Sequence, residues 1–241
     1  MRRVVRGFWG PRQESTEALA ARWSTTLTRF AELLPAAVRR NADDGARTWH
    51  TTESVPVQPD EKSLLDALRQ AQSADDWSAA DGTSLRLLAA DPAPGWKLEI
   101  AVLAGGTPQY LLQSLVATIV APDDARLPDA DLLTAVAETW HPDYGDVSDR
   151  AVTAALKKEA GFKIGTPSIG WVGYLSPTRA SRVPAALAST VRQLPPADGP
   201  LGALLSITHP GDTDAVVGAY VSLKASGALD PLPQPMNRPT L

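Results

Sequence analysis

Leu19, Trp23, Leu27, Phe30 and Leu34 recur at three- and four-residue intervals between Ser15 and Pro35, a spacing that puts all five on one side of a helix. Ser15 suits the capping position, Glu17 lies in the first turn where the helix dipole favours a carboxylate, and Pro35 stops the element. Burying that face contributes roughly 8–15 kcal/mol before the entropy of ordering, so the helix is expected to pack on a sheet. The run Val4-Val5-Arg6-Gly7-Phe8-Trp9 just before it is β-branched and aromatic and is stopped by Gly10-Pro11, which predicts a strand. A short strand is expected over residues 47–52. A second helix is expected after the cap Asp60, with Leu64, Leu65, Leu68 and Ala71 on one face.

Residues 83–121 carry the clearest strand signal. Apolar runs over 85–90, 96–104 and 111–121 are separated by Asp91-Pro92-Ala93-Pro94-Gly95 and Gly105-Gly106-Thr107-Pro108, which predicts an antiparallel meander. In its middle strand Trp96, Leu98, Ile100 and Val102 alternate with a mixed set, so one face is expected to meet helices. Beyond it the pattern alternates: helices over 129–139, 148–159, 184–193 and 213–226, strands over 169–175 and 201–208. Ser148 and Thr213 are expected N-caps, Pro184 a first helical residue and Gly227 the left-handed residue closing the last helix. The fold class is therefore α+β, with an antiparallel or mixed sheet flanked by helices. Residues 1–229 are expected to form one body, with possible halves 1–122 and 129–229. Residues 230–241, with four prolines, are expected to be an extended tail.

Composition narrows the chemistry. There is no cysteine, which excludes thiol nucleophiles, disulfides and cysteine-ligated zinc, and fits a reducing compartment. Arg2, Arg3 and Arg6 are followed by Gly and Pro and not by an apolar stretch, unlike a secretory signal, and no apolar run reaches the ~18 residues of a membrane span. The protein is expected to be cytoplasmic. A net charge of −4 and a pI near 5.4 argue against a sequence-independent grip on nucleic-acid phosphates and fit a basic partner, although mild acidity also serves solubility alone.

Sites of reaction are hard to assemble from these residues. His50, His141 and His209 are far apart and belong to no zinc-binding spacing; His141-Pro142-Asp143 reads more simply as a loop ending the helix before it. No Gly-x-Ser-x-Gly elbow is present, and Ser206, His209 and Asp212 crowd one strand end. Gly105-Gly106 lacks the Gly-Lys-Ser/Thr ending of a phosphate loop and suits a hairpin. Acid pairs such as Asp129 with Asp131 sit in loops and first helical turns, where solvation or capping explains them. The expected protein is no enzyme and carries no catalytic residue, cofactor or metal. Seven tryptophans against three phenylalanines call for an explanation. Trp9, Trp23, Trp96, Trp140 and Trp171 read as core anchors with hydrogen-bonded indoles; Trp49 or Trp77, in polar surroundings, could instead anchor a protein interface.

Three segments together resemble the immunity protein 52 family of bacterial polymorphic toxin systems. Phe8-Trp9-Gly10-Pro11-Arg12-Gln13-Glu14-Ser15 is similar to the family's opening strand and turn. Trp140-His141-Pro142-Asp143-Tyr144-Gly145 is similar to its tryptophan-proline-aspartate-aromatic-glycine signature, departing at His141 and Tyr144. Ile169-Gly170-Trp171-Val172-Gly173-Tyr174-Leu175-Ser176 is similar to a third segment. In order and spacing the likeness runs from Phe8 to about Leu229, weakening over residues 39–84, where partner specificity would differ. It implies an α+β protein that binds a toxin encoded beside it, most often a nuclease with a restriction-endonuclease-like fold, and that has no catalytic activity. Trp9, Gly10, Arg12, Glu14, Trp140, Pro142, Asp143, Gly145, Gly170, Trp171 and Tyr174 carry the likeness and also have a structural reading: glycines for turns, prolines for stops, Arg12 with Glu14 as a local ion pair. Asp123, Asp124, Asp143 and Asp146 are expected to be exposed and are candidates for the toxin interface. The alternative is a hydrolase or small-molecule-binding protein whose site is assembled from distant residues.

Overall fold

A computed structural model describes residues 1–39, 49–195 and 200–241. The chain opens on β1 (Arg2–Trp9) and α1 (Thr16–Leu33), passes a 3-10 turn at Ala36–Arg39, and continues through β2 (Trp49–His50), β3 (Pro56–Val57) and α2 (Glu61–Gln72). The meander follows as β4 (Thr83–Ala89), β5 (Lys97–Ala104) and β6 (Gln113–Val120). Next come α3 (Asp129–Trp140), β7 (Tyr144–Ser148), α4 (Arg150–Ala160), β8 (Val172–Leu175) and α5 (Pro177–Ala180). A 3-10 turn at Ala185–Thr190, β9 (Val191–Gln193), β10 (Ala203–Ser206) and α6 (Thr213–Ala225) complete it.

All ten strands join one antiparallel sheet in the order β3-β2-β4-β5-β6-β1-β7-β8-β10-β9. The fold is α+β, as the sequence pattern requires. β1 is hydrogen-bonded along both edges, to β6 on one side and β7 on the other, and so fuses the meander to the C-terminal strands. One register row crosses seven strands: Leu85, Val102, Leu115, Gly7, Gly145, Tyr174 and Leu204. Helices lie over the face carrying that row. α1 packs on α2 and α3, α2 reaches β4, and α3 lies across β1, β7 and β8. The two central glycines let α3 approach: a Cβ on Gly7 would come 2.9 Å from the Val136 side chain, and one on Gly145 would come 3.2 Å from the Leu133 side chain and 2.5 Å from Arg6 O. Gly145 is thus a mid-strand site of close packing and not a turn residue.

Caps follow local chemistry. The Ser15 and Asp60 side chains accept from Ala18 N and Ser63 N, opening α1 and α2. The two later caps fall one residue from the expected positions. Asp149 and Asp212, not Ser148 and Thr213, accept the free amides of α4 and α6, because Ser148 is held in β7 with its hydroxyl taken by Arg6. Residues 184–193 form no α-helix. Pro184 has extended ψ ahead of a 3-10 turn, and Val191–Gln193 pairs with β10 as an edge strand. Of the strand expected over 47–52, Trp49–His50 is observed; Arg47 and Thr48 lie outside the described residues. Residues 230–241 are docked, not loose: Leu232 and Met236 are buried, Gly10 N donates to Pro239 O, and Met236 N donates to Gln109 O.

Candidate functional site

The residues carrying the sequence signature converge on the inside of the molecule. Trp9 stacks on Trp140 with ring centroids 5.6 Å apart, and Trp23 meets Trp140 edge-on at 6.4 Å. Trp140 Nε1 donates to Thr26 Oγ1 at 2.7 Å, tying α3 to α1. Arg12 lies over Trp9, and Arg22 over Trp140. Glu14 sits between the two guanidiniums, accepting from Arg12 Nε at 3.1 Å and Arg22 Nε at 2.6 Å. The expected Arg12–Glu14 ion pair therefore forms and gains a second cation. Burial pulls the Arg12 guanidinium below its ordinary value, with Glu14 opposing that shift.

A second cluster centres on Asp143, which is fully buried with Arg179. Asp143 accepts from Arg179 Nη2 at 2.7 Å, from Ser176 Oγ at 2.9 Å and from Leu241 N at 2.9 Å, while its own N–H donates to Phe8 O. Arg179 also donates to Ala228 O and lies over the ring of Tyr144, which stacks on Phe8. Burial pushes the Tyr144 phenol far above its ordinary value. One face turn away, Arg6 makes a two-pronged contact with Asp146 at 2.8 and 2.6 Å and reaches Ser148 Oγ at 2.9 Å. These two clusters correct the expectation of exposure: Asp143 and Asp146 are 0% and 1% accessible. Each carboxylate neutralises an arginine brought to it by the sheet, a role that loop-like local sequence does not show.

Trp171 donates through Nε1 to Asp129 Oδ2 at 2.8 Å, with Arg3 over its ring at 4.7 Å. Burial raises the Asp129 carboxyl above the ordinary carboxylate range, against the pull of Trp171 and Arg3. Tyr174 Oη accepts from Gly202 N. A Cβ on Gly170 would lie 1.8 Å from Val147 O, and one on Gly10 would lie 2.2 Å from Arg238 O. Pro142 is buried beside Gly7, and His141, left-handed at φ 45°, closes α3. All five expected anchor tryptophans are buried. Trp49 is buried as well, against expectation, because β2 pairs with both β3 and β4. The indole N–H groups of Trp9 and Trp49 find no acceptor among the described residues. Trp77 remains exposed.

Asp123 and Asp124 do lie on the surface. Asp123 faces the Met1 amino group, whose hydrogen bond and charge hold its carboxyl below the ordinary range. Among the described residues no group of three or more His, Asp or Glu side chains is arranged to hold a metal ion, and no helix is long and apolar enough to cross a membrane. Asp212 is committed to capping α6 and to Thr208 Oγ1 at 2.8 Å, beside His209.

What the sequence left unseen is a groove of about 1290 Å³ between the outer side of α2, the β2–β3 hairpin and the start of β4. Its floor and walls include Val55, Val57, Ala67, Ala71 and Leu85, and Trp77 stands at its mouth. Of the residues forming it, Trp77 carried a signal as an aromatic in polar surroundings, and most of the rest lie within residues 39–84, where the family likeness weakens.

The signature residues thus define an α+β protein in which Arg12, Glu14 and Asp143 are held in ion pairs within a fold built on one wide sheet. The chain matches the family described as Immunity protein 52 over residues 4–210 and belongs to it. No curated protein matches the sequence. Among solved structures it is similar to one described as Pseudomonas aeruginosa T6SS protein PA0821, with a TM-score of 0.52 and 12% identity over 95% of this chain and 73% of the other, a likeness of fold.

Proposed function

We propose that this chain is a cytoplasmic immunity protein that binds a toxin encoded beside it and neutralises it by stoichiometric association. The membership of residues 4–210 in the immunity protein family carries this reading. The geometry supports it: the charged residues of the signature, Arg12, Glu14 and Asp143, are consumed by ion pairs with one another or with Arg22 and Arg179. The toxin is proposed to be a nuclease with a restriction-endonuclease-like fold, as the family resemblance implies, and delivery by type VI secretion fits the description of the structural neighbour. A nuclease presents a basic substrate face, and a chain of net charge −4 gains association rate against such a surface. Inhibition then follows either from covering the active site or from holding the toxin in an inactive arrangement.

Of the four acids expected at the interface, Asp123 and Asp124 are available to a partner. Charge reversal at both that left affinity unchanged would remove them. Co-expression of the chain with the product of the adjacent reading frame in a sensitive host tests the reading itself. Survival that depends on this chain, with a one-to-one complex on gel filtration, is expected. Cell death despite soluble expression, with no complex on mixing, would overturn it.

A further inference from the structure

The groove between α2 and the β2–β3 hairpin is acidic. Glu53, Asp66, Asp75, Asp76 and Asp81 line it, against a single cation, Arg86, among the described residues. None of those five carboxylates belongs to an ion pair among the described residues, whereas Arg86 is turned to Glu99 at 3.3 Å. Inside the rim apolar side chains such as Val55, Ala67, Ala71 and Ala74 are interspersed with hydroxyl-bearing Thr51, Ser63 and Ser84. Val55 is 54% exposed and Trp77 39% exposed, and the two share this one groove.

The wall bearing the indole is also rigid. Trp77 N donates to Ala74 O, Asp81 N and Gly82 N both donate to Ser78 O, and Thr107 N in the β5–β6 turn donates to Ala80 O. The turn is clamped so closely that a Cβ on Gly106 would lie 2.4 Å from Gly82 N. An aromatic side chain held on a fixed loop loses little conformational entropy on being covered, the condition under which a single residue dominates an interface. The outermost strand among the described residues, Pro56–Val57, forms one wall of the groove.

Resting on the immunity reading, we propose that this groove is the toxin-docking surface and that its occupant is a lysine- and arginine-rich segment of the toxin, whose aliphatic stems and apolar neighbours cover Trp77 while its cations meet the five carboxylates. The chemistry of the groove selects such a segment: a floor of small and branched apolar side chains accepts the stems, and the acidic rim takes the charged ends. Burying those cations against carboxylates that lack an ion-pair partner also explains how one protein recognises its toxin and rejects others, since a neutral or acidic segment would cover the five without supplying a counter-charge.

The test uses the full chain and the catalytically inactivated product of the adjacent reading frame, with affinity measured by surface plasmon resonance at several salt concentrations. Trp77→Ala is expected to weaken binding by at least roughly 10-fold, chiefly through faster dissociation. Asp75→Lys with Asp76→Lys is expected to weaken it by about 100-fold or more and to flatten the salt dependence of the association rate. Both sites are exposed, and a thermal melt within a degree or two of wild type certifies each fold. Hydrogen exchange of the wild-type complex, which needs no variant, is expected to show protection over residues 51–57 and 63–82. If wild type binds and protects but the groove variants bind equally well, or protection maps to the half-exposed sheet face around Phe8 and Val116, the groove assignment falls and the immunity reading stands. If wild type neither binds nor protects, both fall.

Discussion

Replacing Asp143 by alanine removes the counter-charge of Arg179 from the interior. Both side chains are fully inaccessible, their charged atoms are 2.7 Å apart, and the Nε of Arg179 has no hydrogen-bond partner among the described residues. Asp143→Ala leaves the guanidinium with only Ala228 O and the face of Tyr144, and it also strips acceptors from Ser176 Oγ and Leu241 N. An uncompensated buried charge of this kind costs about 3–5 kcal/mol. For a chain of this size that corresponds to a fall in Tm of about 6–20 °C. Arg179→Met should cost a similar amount, but the double variant, with neither charge left to strand, should recover most of the loss. A double-mutant cycle from urea unfolding should therefore give a coupling of about 2 kcal/mol or more. Loss of less than about 1 kcal/mol in Asp143→Ala, or single costs that simply add, would show that the pair does not tie Arg179 of α5 to the start of β7.

Gly170→Ala should destabilise by roughly 1–3 kcal/mol or more, since its Cβ would overlap Val147 O and the obstacle is backbone; Gly218→Ala, exposed in α6 with open space around it, should stabilise by up to about 1 kcal/mol, and equal melting temperatures would contradict both. Because burial raises the Asp129 carboxyl above 3.8, the folded state binds that proton more tightly than the unfolded chain. Its contribution is therefore favourable at low pH and is lost as pH rises from about the ordinary carboxylate value through the raised folded one. Asp129→Asn should flatten stability against pH over that window, and an unchanged urea-midpoint profile would refute the assignment. Deleting residues 231–241 removes the buried side chains of Leu232 and Met236, worth about 3–6 kcal/mol together before ordering costs, and a truncated chain with wild-type Tm would show that the docked segment adds nothing.

Local chemistry alone determined α1, α2 and the meander, because each is specified by contacts within a few residues: a capping oxygen at Ser15 or Asp60, a helical apolar stripe, an alternation ended by Gly and Pro. The anchoring role of Trp9, Trp23, Trp140 and Trp171 was legible for the same reason, since each falls on the apolar side of its element. Nothing in Tyr144-Gly145-Asp146-Val147-Ser148 announces a central strand. A glycine and an acid there make sense only when α3 presses on Gly145 and Arg6, 140 positions earlier in the chain, meets Asp146. The burial of Asp143, Asp146 and Trp49, the docking of residues 230–241 and the assembly of the groove are likewise decided in three dimensions. In each, the free energy comes from partners distant along the chain, and a side chain's fate, buried pair or exposed recognition group, depends on which of those partners the sheet brings within reach.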